Sequence, residues 1–223
     1  MFMVMGGGYA LMWSGGKDSA LALQRARASG LDVRCLLNFY DSATRRVRFH
    51  ATTVQMIETQ ATALGLEVRA IGTSWDAMPS ALADQLRRLR SEDFRGVVLG
   101  DIHLTDVRAW YEERVTAAGL EHVEPLWGAK PRDLVREFVT TGGRAVVTCV
   151  DLRRLDATWL GRLIDLQFTE DIAVAGVDEC GENGEYHSFA FDGPLFLQPV
   201  RWQPGETRTD DRFSQLDVLA AES

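Results

Sequence analysis

Ser14-Gly15-Gly16-Lys17-Asp18-Ser19 is the stretch of this 223-residue chain that decides its fold. A short apolar run, residues 9–13, precedes it, and the helix-forming run 20–23 follows it. This order predicts a strand, a glycine turn and a helix. Two glycines let the backbone turn tightly and aim N–H groups at an anion. The start of a helix adds unpaired N–H groups and a positive dipole end, so the stretch predicts a phosphate site.

An ordinary tight turn with a capping serine would also explain two adjacent glycines. The whole hexapeptide is more specific, because hydroxyl residues flank both ends and a lysine lies inside. It differs from the ATPase P-loop, which needs Gly, four residues and then Gly-Lys-Ser/Thr. It also lacks the third glycine of the dinucleotide-binding pattern. It resembles the PP-loop of ATP pyrophosphatases, which cradles the pyrophosphate part of ATP while the α-phosphate is attacked. We therefore expect all six residues to bind ATP.

The first part of the chain alternates strand and helix signals. Apolar strand candidates lie at residues 33–39, 66–71, 96–101 and 145–150, with amphipathic helical runs between them. Such alternation predicts an α/β fold with a parallel sheet that helices cover on both faces. Ligands of such sheets bind beyond the carboxyl ends of the strands. We therefore expect the glycine loop to share one crevice with Asn38, Gly100 and Asp101, and these three residues to contact the nucleotide.

The pattern changes after residue 150, which predicts two domains. We expect an ATP-binding domain at 1–150 and a smaller α+β lobe at 151–223 that carries the substrate. Within this lobe, residues 155–166 look helical and residues 186–191 alternate like a strand. The polar tail from Gln203 onward is expected to fray.

A second distinctive stretch covers residues 176–187 and reads Gly-Val-Asp-Glu-Cys-Gly-Glu-Asn-Gly-Glu-Tyr-His. A solvated turn would explain its acids and glycines, but it explains Cys180 and His187 less readily. Acids here can bind Mg²⁺, orient ammonia or an amine, or act as a base. Our hypothesis is that this segment lines the acceptor half of the crevice and faces the glycine loop. Glu182 and Glu185 would then handle ammonia or its protons.

The same stretch carries a family resemblance. Residues 178–187, followed by Asp-Gly-Pro-Leu-Phe at 192–196, resemble the diphthine–ammonia ligase family. Further matches run in family order from residue 10 to about 196, at 48–50, 60–65, 100–101, 124–128, 155–156 and 160–162. Two mild departures are Glu179, where the family usually has Pro, and Ser188, where it usually has Thr.

The resemblance implies a fold and a reaction. The fold is a HUP-type (Rossmann-like) domain of the adenine nucleotide α-hydrolase superfamily, with a family-specific C-terminal lobe. The reaction uses ATP, which we expect with Mg²⁺, to adenylate a carboxylate and release pyrophosphate. Ammonia then displaces AMP to give an amide. In eukaryotes and archaea the acceptor is diphthine, on a translation elongation factor, but bacteria lack diphthamide. Lys17 and Lys130 are the two lysines beside many arginines, which indicates a bacterial source and therefore a different acceptor.

Roles follow for individual residues from the motif and the resemblance together. The expected catalytic residues are Lys17, Asp18, Asp178, Glu182 and Glu185, and the expected Mg²⁺ ligands are Asp18 and Asp101. The expected substrate-binding residues are His50, Cys180, Gly181, Asn183 and His187. Cys180 as a covalent nucleophile is a minor alternative, because the sequence assigns it no histidine partner. His122 is expected at the surface.

Composition limits the partners and the compartment. The formal net charge of −8 argues against nucleic acid as a partner. No apolar run reaches the ~20 residues of a membrane span. The three cysteines are far apart without a CxxC pair, which argues against disulfides or a zinc ribbon and fits the cytoplasm. Free ammonium or another donor would supply the nitrogen, and a homodimer stays open.

Two other functions remain as alternatives. A tRNA-modifying PP-loop pyrophosphatase commonly shows paired cysteines or a basic surface, and the sequence shows neither. A non-catalytic nucleotide-binding module, like the universal stress proteins, carries its glycine signature late in the domain. In this chain the glycine loop follows the first strand.

Overall fold

A computed structural model of the chain describes residues 7–48 and 50–221. The strands are β1 (Tyr9–Met12), β2 (Val33–Asp41), β3 (Arg46–Val47), β4 (Glu67–Thr73), β5 (Gly96–Val98), β6 (Glu121–Val123), β7 (Arg144–Asp151), β8 (Tyr186–Asp192), β9 (Trp202–Thr209) and β10 (Phe213–Ala220). The helices are α1 (Lys17–Ala28), α2 (Val54–Leu64), α3 (Met78–Ser91), α4 (Thr105–Ala117), α5 (Pro131–Thr140) and α6 (Leu166–Ala175), with a short 3-10 helix at Ala157–Trp159. Within these described ranges, no helix is both long and apolar enough to span a membrane.

The first sheet is mostly parallel and has β1 at its centre. Strands β4, β2, β1, β5 and β6 lie side by side in that order, and each neighbouring pair is parallel. The short strand β3 adds an antiparallel pair at the end of β2. The chain moves outward from β1 on one side and then on the other, so a crevice opens at the carboxyl end of β1. The predicted α/β fold is confirmed, and the order is consistent with the HUP type.

Helices cover both faces of this sheet. Successive side chains of a strand point to opposite faces, and Ala10 and Leu11 of β1 are both fully buried. Leu11 belongs to a core that includes side chains of α1, α2 and α5. Ala10 belongs to a second core, with side chains of α3 and α4. The continuous apolar strands of the sequence are therefore those of a sheet buried on both sides.

The second sheet is antiparallel, in the order β8-β7-β10-β9. Strand β7 was assigned from the sequence to the first domain, but it pairs with β8 and β10 in this sheet. An apolar run reads the same in the sequence whether its neighbours are parallel or antiparallel. The domain boundary at residue 150 stays a prediction.

Two local predictions for this lobe are wrong. Residues 155–166 do not form one helix, because α6 begins only at Leu166, where Asp165 caps it by accepting a hydrogen bond from the Phe168 amide. The tail does not fray, because residues 202–209 and 213–220 pair as β9 and β10. Val218 is buried within this hairpin, so apolar contacts hold the polar tail in the sheet.

Gly15, in the turn between β1 and α1, generates a prediction about stability. It has a φ of +85°, and a Cβ there would lie 2.7 Å from the Ile57 Cδ1 atom. Gly30 has a φ of +84° with nothing within 4 Å of such a Cβ. Gly30→Ala should therefore cost about 1 kcal/mol through backbone strain alone. Gly15→Ala should cost about 1–3 kcal/mol more, because it also overpacks α2. Urea unfolding measures both, and equal losses would contradict close packing at Gly15.

Candidate active site

The glycine loop has the predicted order of strand, turn and helix. Strand β1 ends at Met12 and α1 begins at Lys17. Ser14 accepts a hydrogen bond from the Gly16 amide at 3.3 Å, and Ser19 donates one to the Gly16 carbonyl at 3.0 Å. The two serines shape the turn, and the first-turn amides of α1 have no partners within the helix. This arrangement can receive an anion.

A cavity of about 780 Å³ lies over this loop, at the carboxyl ends of β1, β2 and β5. Twelve of the residues predicted for the site line it: Ser14, Lys17, Asp18, Ser19, Asn38, His50, Gly100, Asp101, Cys180, Gly181, Glu182 and His187. Five predicted residues, all within the described part of the chain, do not line it: Gly15, Gly16, Asp178, Asn183 and Glu185. The structure therefore brings the strand ends together with residues 176–187, the acidic segment, as expected.

Strand β8 docks directly on the glycine loop. The Ala190 amide donates to the Gly15 carbonyl at 2.8 Å, and the Lys17 amide donates to the Ser188 hydroxyl at 3.2 Å. A Cβ on Gly16 would lie 3.2 Å from the Ser188 carbonyl oxygen. The second lobe thus forms one wall of the cavity and supports the loop from behind.

Lys17 connects the loop to the acidic segment. Its ammonium donates to the Asp18 carboxylate at 2.9 Å and to the Cys180 carbonyl, and it lies 4.7 Å from the centre of the Tyr186 ring. Burial is the largest single influence and opposes the charged form, but the charge and hydrogen bond of Asp18, together with Tyr186 and Cys180, outweigh it and hold the pKa of Lys17 well above its usual value. Lys17 therefore stays a cation at the junction of the two lobes.

Three carboxylates crowd the cavity wall. Burial raises the pKa of Asp18 although Lys17 opposes the rise. Burial, with a contribution from Asp18, raises the pKa of Asp101 to about 6. Burial and the charges of Asp18 and Asp101 raise the pKa of Glu182 to about 7, although Glu182 accepts the Ile102 amide at 3.0 Å. Bringing these groups together costs free energy that a bound cation would offset.

The geometry fits a cation held partly by a ligand. Across the described residues, no three or more His, Cys, Asp or Glu side chains are placed to hold a metal by themselves. Mg²⁺ usually takes one or two carboxylates together with substrate phosphates and waters. Asp18 and Asp101 supply two such carboxylates beside the glycine loop.

Asp178 and Glu185 shape the acidic turn from behind the wall. Asp178 accepts the amides of Cys180 at 2.9 Å and Glu182 at 3.2 Å, and lies 2.9 Å from the His103 ring. Glu185 is 1% exposed and accepts the Asp178 amide at 3.3 Å. These bonds orient the turn so that Glu182 reaches the cavity. Direct catalytic roles for Asp178 and Glu185 stay predictions.

The Cys180 thiol is not placed as a nucleophile. It donates to the Pro131 carbonyl at 3.3 Å, and burial with the Asp18 charge raises its pKa far above the usual value. A thiol that stays protonated is unreactive. The Cys180 carbonyl, which accepts Lys17, is the part of the residue that serves the site.

Two histidines form a neutral pair on the wall. The ring centres of His50 and His187 are 4.5 Å apart. Burial lowers the pKa of His50 to about 4 and lowers that of His187 as well. Both rings are therefore uncharged near neutral pH, because burial disfavours their protonated forms. In contrast, the expectation for His122 is wrong, because only 4% of its side chain is exposed and its ring lies 3.4 Å from Glu124.

Further wall residues that were not assigned to the site from the sequence include Arg48, Asp106, Trp110 and Tyr111. The last three lie on α4, which follows Gly100-Asp101 after a short loop, and this position after a strand end was the available signal. Arg48 lies two positions from His50 within a matched motif. Phe49, between them, lies outside the described residues.

Fold and site together define the class of protein. A parallel sheet of HUP type, with a PP-loop at its β1–α1 turn and a cavity above, is a nucleotide-binding α/β domain. More specifically, the chain belongs to the diphthamide synthase family, whose N-terminal domain matches residues 7–122 and whose C-terminal domain matches residues 130–215. The resemblance predicted from the sequence is thereby confirmed.

Curated relatives agree with the family. The chain is 28% identical over 238 residues to a diphthine–ammonia ligase of Homo sapiens, an alignment that covers 94% of this chain and 89% of that protein. It is 27% identical to the protein of the same name from Bos taurus, with equal coverage. With the Danio rerio protein it shares 27% over 233 residues, or 92% of this chain and 91% of that protein.

The raised pKa of Glu182 predicts a pH-dependent stability. Its value rises from 4.5 to about 7 on folding, so the folded state holds the proton more tightly. Stability should fall as the pH rises between these values, and the penalty is complete above the folded pKa. Glu182→Gln should therefore stabilise the free protein by about 1–3 kcal/mol at pH 8 and by little near pH 4.

Urea unfolding without nucleotide or metal, at both pH values, measures this effect. Glu58→Gln, on the exposed side of α2, is the matched control and should change stability by less than about 0.5 kcal/mol at either pH. Equal effects of Glu182→Gln at the two pH values would contradict the raised pKa.

Proposed function

We propose that this chain is an ATP-dependent ligase that adenylates a carboxylate and forms an amide with ammonia. The observation that carries the proposal is the placement of the acidic segment opposite the PP-loop in the same cavity, where the ammonium of Lys17 bonds to the Cys180 carbonyl. The family and the curated relatives named diphthine–ammonia ligase support it.

The loop side of the cavity binds ATP. The amides at the start of α1 receive the pyrophosphate part. Asp18 and Asp101 would hold Mg²⁺ together with the nucleotide, and the metal would supply charge neutralisation for the phosphates. Asn38 donates to the Trp13 carbonyl at 2.8 Å, while its own side-chain oxygen is buried without a partner. That oxygen fits a donor group of the nucleotide.

The acidic side carries out the amide step. In the first step an acceptor carboxylate oxygen attacks the α-phosphorus, and the bond to pyrophosphate breaks. In the second step ammonia attacks the acyl carbon, a C–N bond forms, and AMP leaves with its bonding electrons. Glu182, whose pKa is about 7, takes a proton from ammonium or from the attacking nitrogen. His50, Gly181 and His187 contact the acceptor, and Glu185 supports Glu182 from behind.

The charge of the chain and the chemistry of the cavity wall weigh against the two alternative functions. An RNA acceptor is a polyanion, which the net charge of −8 disfavours. A module that only stores a nucleotide has no need of carboxyl groups whose pKa values are raised toward neutrality. The proposal also includes free ammonium as the nitrogen source and, for a bacterial source, an acceptor other than diphthine. It further places the protein in the cytoplasm and includes a homodimer.

The position of ATP cleavage is the first test. A loop that cradles the leaving pyrophosphate should give AMP and pyrophosphate. The protein is incubated with α-labelled ATP, Mg²⁺, ammonium and fractionated extract as the acceptor source, and the products are separated by chromatography. Asp18→Asn, prepared in the same way, should lose the activity and controls for contaminating ATPases. If the main product is ADP, and if it forms with the wild-type protein but not with Asp18→Asn, the PP-loop assignment is contradicted.

The role of Glu182 is the second test. Glu182→Gln keeps an oxygen to accept the Ile102 amide but cannot take a proton. ATP affinity should stay within about threefold of wild type, and amide formation should fall by ~10²-fold or more, as for a lost general base. Glu179→Gln, in the same segment, is the matched control and should keep full turnover.

Calorimetry with ATP, a thermal melt and turnover are measured on the same preparations. A role limited to the turn would lower the melting temperature of Glu182→Gln and leave turnover per folded molecule intact. That outcome removes Glu182 from the mechanism.

A further inference from the structure

Gln60 of α2 is fully buried and touches three parts of the site. Its side-chain amide donates to the Gly15 carbonyl at 2.9 Å and to the Ala190 carbonyl at 2.6 Å. Its side-chain oxygen accepts the Trp13 indole N–H at 2.9 Å. One side chain therefore bonds to the end of β1, to the glycine loop and to β8.

The hydrogen-bonding capacity of Gln60 is matched to these partners. An amide group has two N–H donors and one acceptor oxygen; here each donor meets a carbonyl and the oxygen meets a donor. A carboxylate at this position would have no donor for the two carbonyls. An apolar side chain would remove one donor from each carbonyl and leave the Trp13 indole N–H without this acceptor. Such buried groups are costly when unpaired, so the environment specifies glutamine.

The loop also packs on Gln60 at close range. A Cβ on Gly15 would lie 2.9 Å from the Gln60 side-chain oxygen. The Gly15 carbonyl receives the Ala190 amide as well, at 2.8 Å. The backbone of the loop is therefore clamped between α2 and β8, and Gln60 is the side chain that connects them.

We propose that Gln60 is a positioning residue that holds the PP-loop in its phosphate-binding conformation and fixes it to β8. The inference rests on the proposed function in so far as the loop binds ATP. Without the two donors, the Gly15 carbonyl keeps only one of its two hydrogen bonds, the one from the Ala190 amide, and the loop amides no longer converge in advance on the phosphates. Preorganised groups bind more tightly because less freedom is lost on binding. Gln60 thus acts on the nucleotide through Gly15.

ATP affinity of folded variants tests the proposal. Gln60→Met keeps the length of the side chain without its donors, and Gln55→Glu, on the exposed side of the same helix, is the control. Calorimetry well below each melting temperature should show at least tenfold weaker binding for Gln60→Met and wild-type binding for the control. A purely structural role predicts a lowered melting temperature with unchanged affinity, and that result overturns the proposal.

The pH dependence of ATP affinity in Gln60→Glu distinguishes the role of the hydrogen-bond donors from a role in packing alone. Its carboxylate faces two carbonyl oxygens, whereas the protonated acid can donate to one of them. ATP affinity of this variant relative to wild type should therefore recover as the pH falls from 8 to 5.5. An equal deficit at both pH values would contradict the role of the donors.

A measurement on the wild type does not depend on whether variants fold. Because the Ala190 amide bonds to the loop, ATP should slow hydrogen exchange at that amide if loop and strand are fixed together. Unchanged exchange with ATP bound overturns the inference. A wild type that binds no ATP contradicts the proposed function itself, whereas normal ATP binding in wild type and in Gln60→Met contradicts only the role of Gln60.

Discussion

The carbonyl of Gly15 is the point on which the two halves of this molecule depend. It receives the Ala190 amide from the second sheet and the Gln60 side chain from the first domain. Because Gly15 has positive φ and lies close to α2, the loop turns its carbonyl toward the protein. In the first turn of α1, the Lys17 amide donates to the Ser188 hydroxyl, whereas the Asp18 and Ser19 amides have no carbonyl partner within the helix and can receive a ligand. The glycine loop thus forms the anion site with its amides and the contact with the second lobe with its Gly15 carbonyl.

Electrostatics complements this backbone constraint. Lys17 is the cation among carboxylates whose pKa values burial has raised, and it bonds to both the loop side and the acidic segment. Because burial disfavours the ionised forms of these carboxylates, the ligand-free folded protein is less stable at neutral pH than it would be with neutral side chains at these positions. The metal–nucleotide complex and the ammonium ion proposed for this cavity would recover this free energy on binding. Stability and binding are therefore opposed at the same three side chains.

The loop and the order of strands and helices could be predicted from local sequence patterns. The pairing of strands and side chains that are distant in the sequence could not. The glycines and serines of the hexapeptide 14–19 are sufficient to predict its turn, and the alternation of strand and helix signals predicts the parallel sheet. The sequence does not say which of the four acids in residues 176–187 reaches the cavity, because the hydrogen bonds of Asp178 and Glu185 orient the turn so that Glu182 does. The partners of β7 are equally hidden, since an apolar strand does not encode its neighbours. His122 was misplaced because the three-residue strand β6 leaves too little periodicity to read.

The place of β10 has a consequence for the order of assembly. This strand lies inside the second sheet, between β7 and β9, and its Phe213 pairs with Asp151 far back in the chain. Asp217 of the same strand also pairs with Arg46 at 2.7 Å, next to the segment that carries His50. During synthesis the glycine loop and its parallel sheet are complete long before residues 213–220 leave the ribosome. A nascent chain can therefore fold its nucleotide-binding half early, but the second sheet, whose strand β8 carries part of the wall opposite the loop, is complete only after residues 213–220 have emerged.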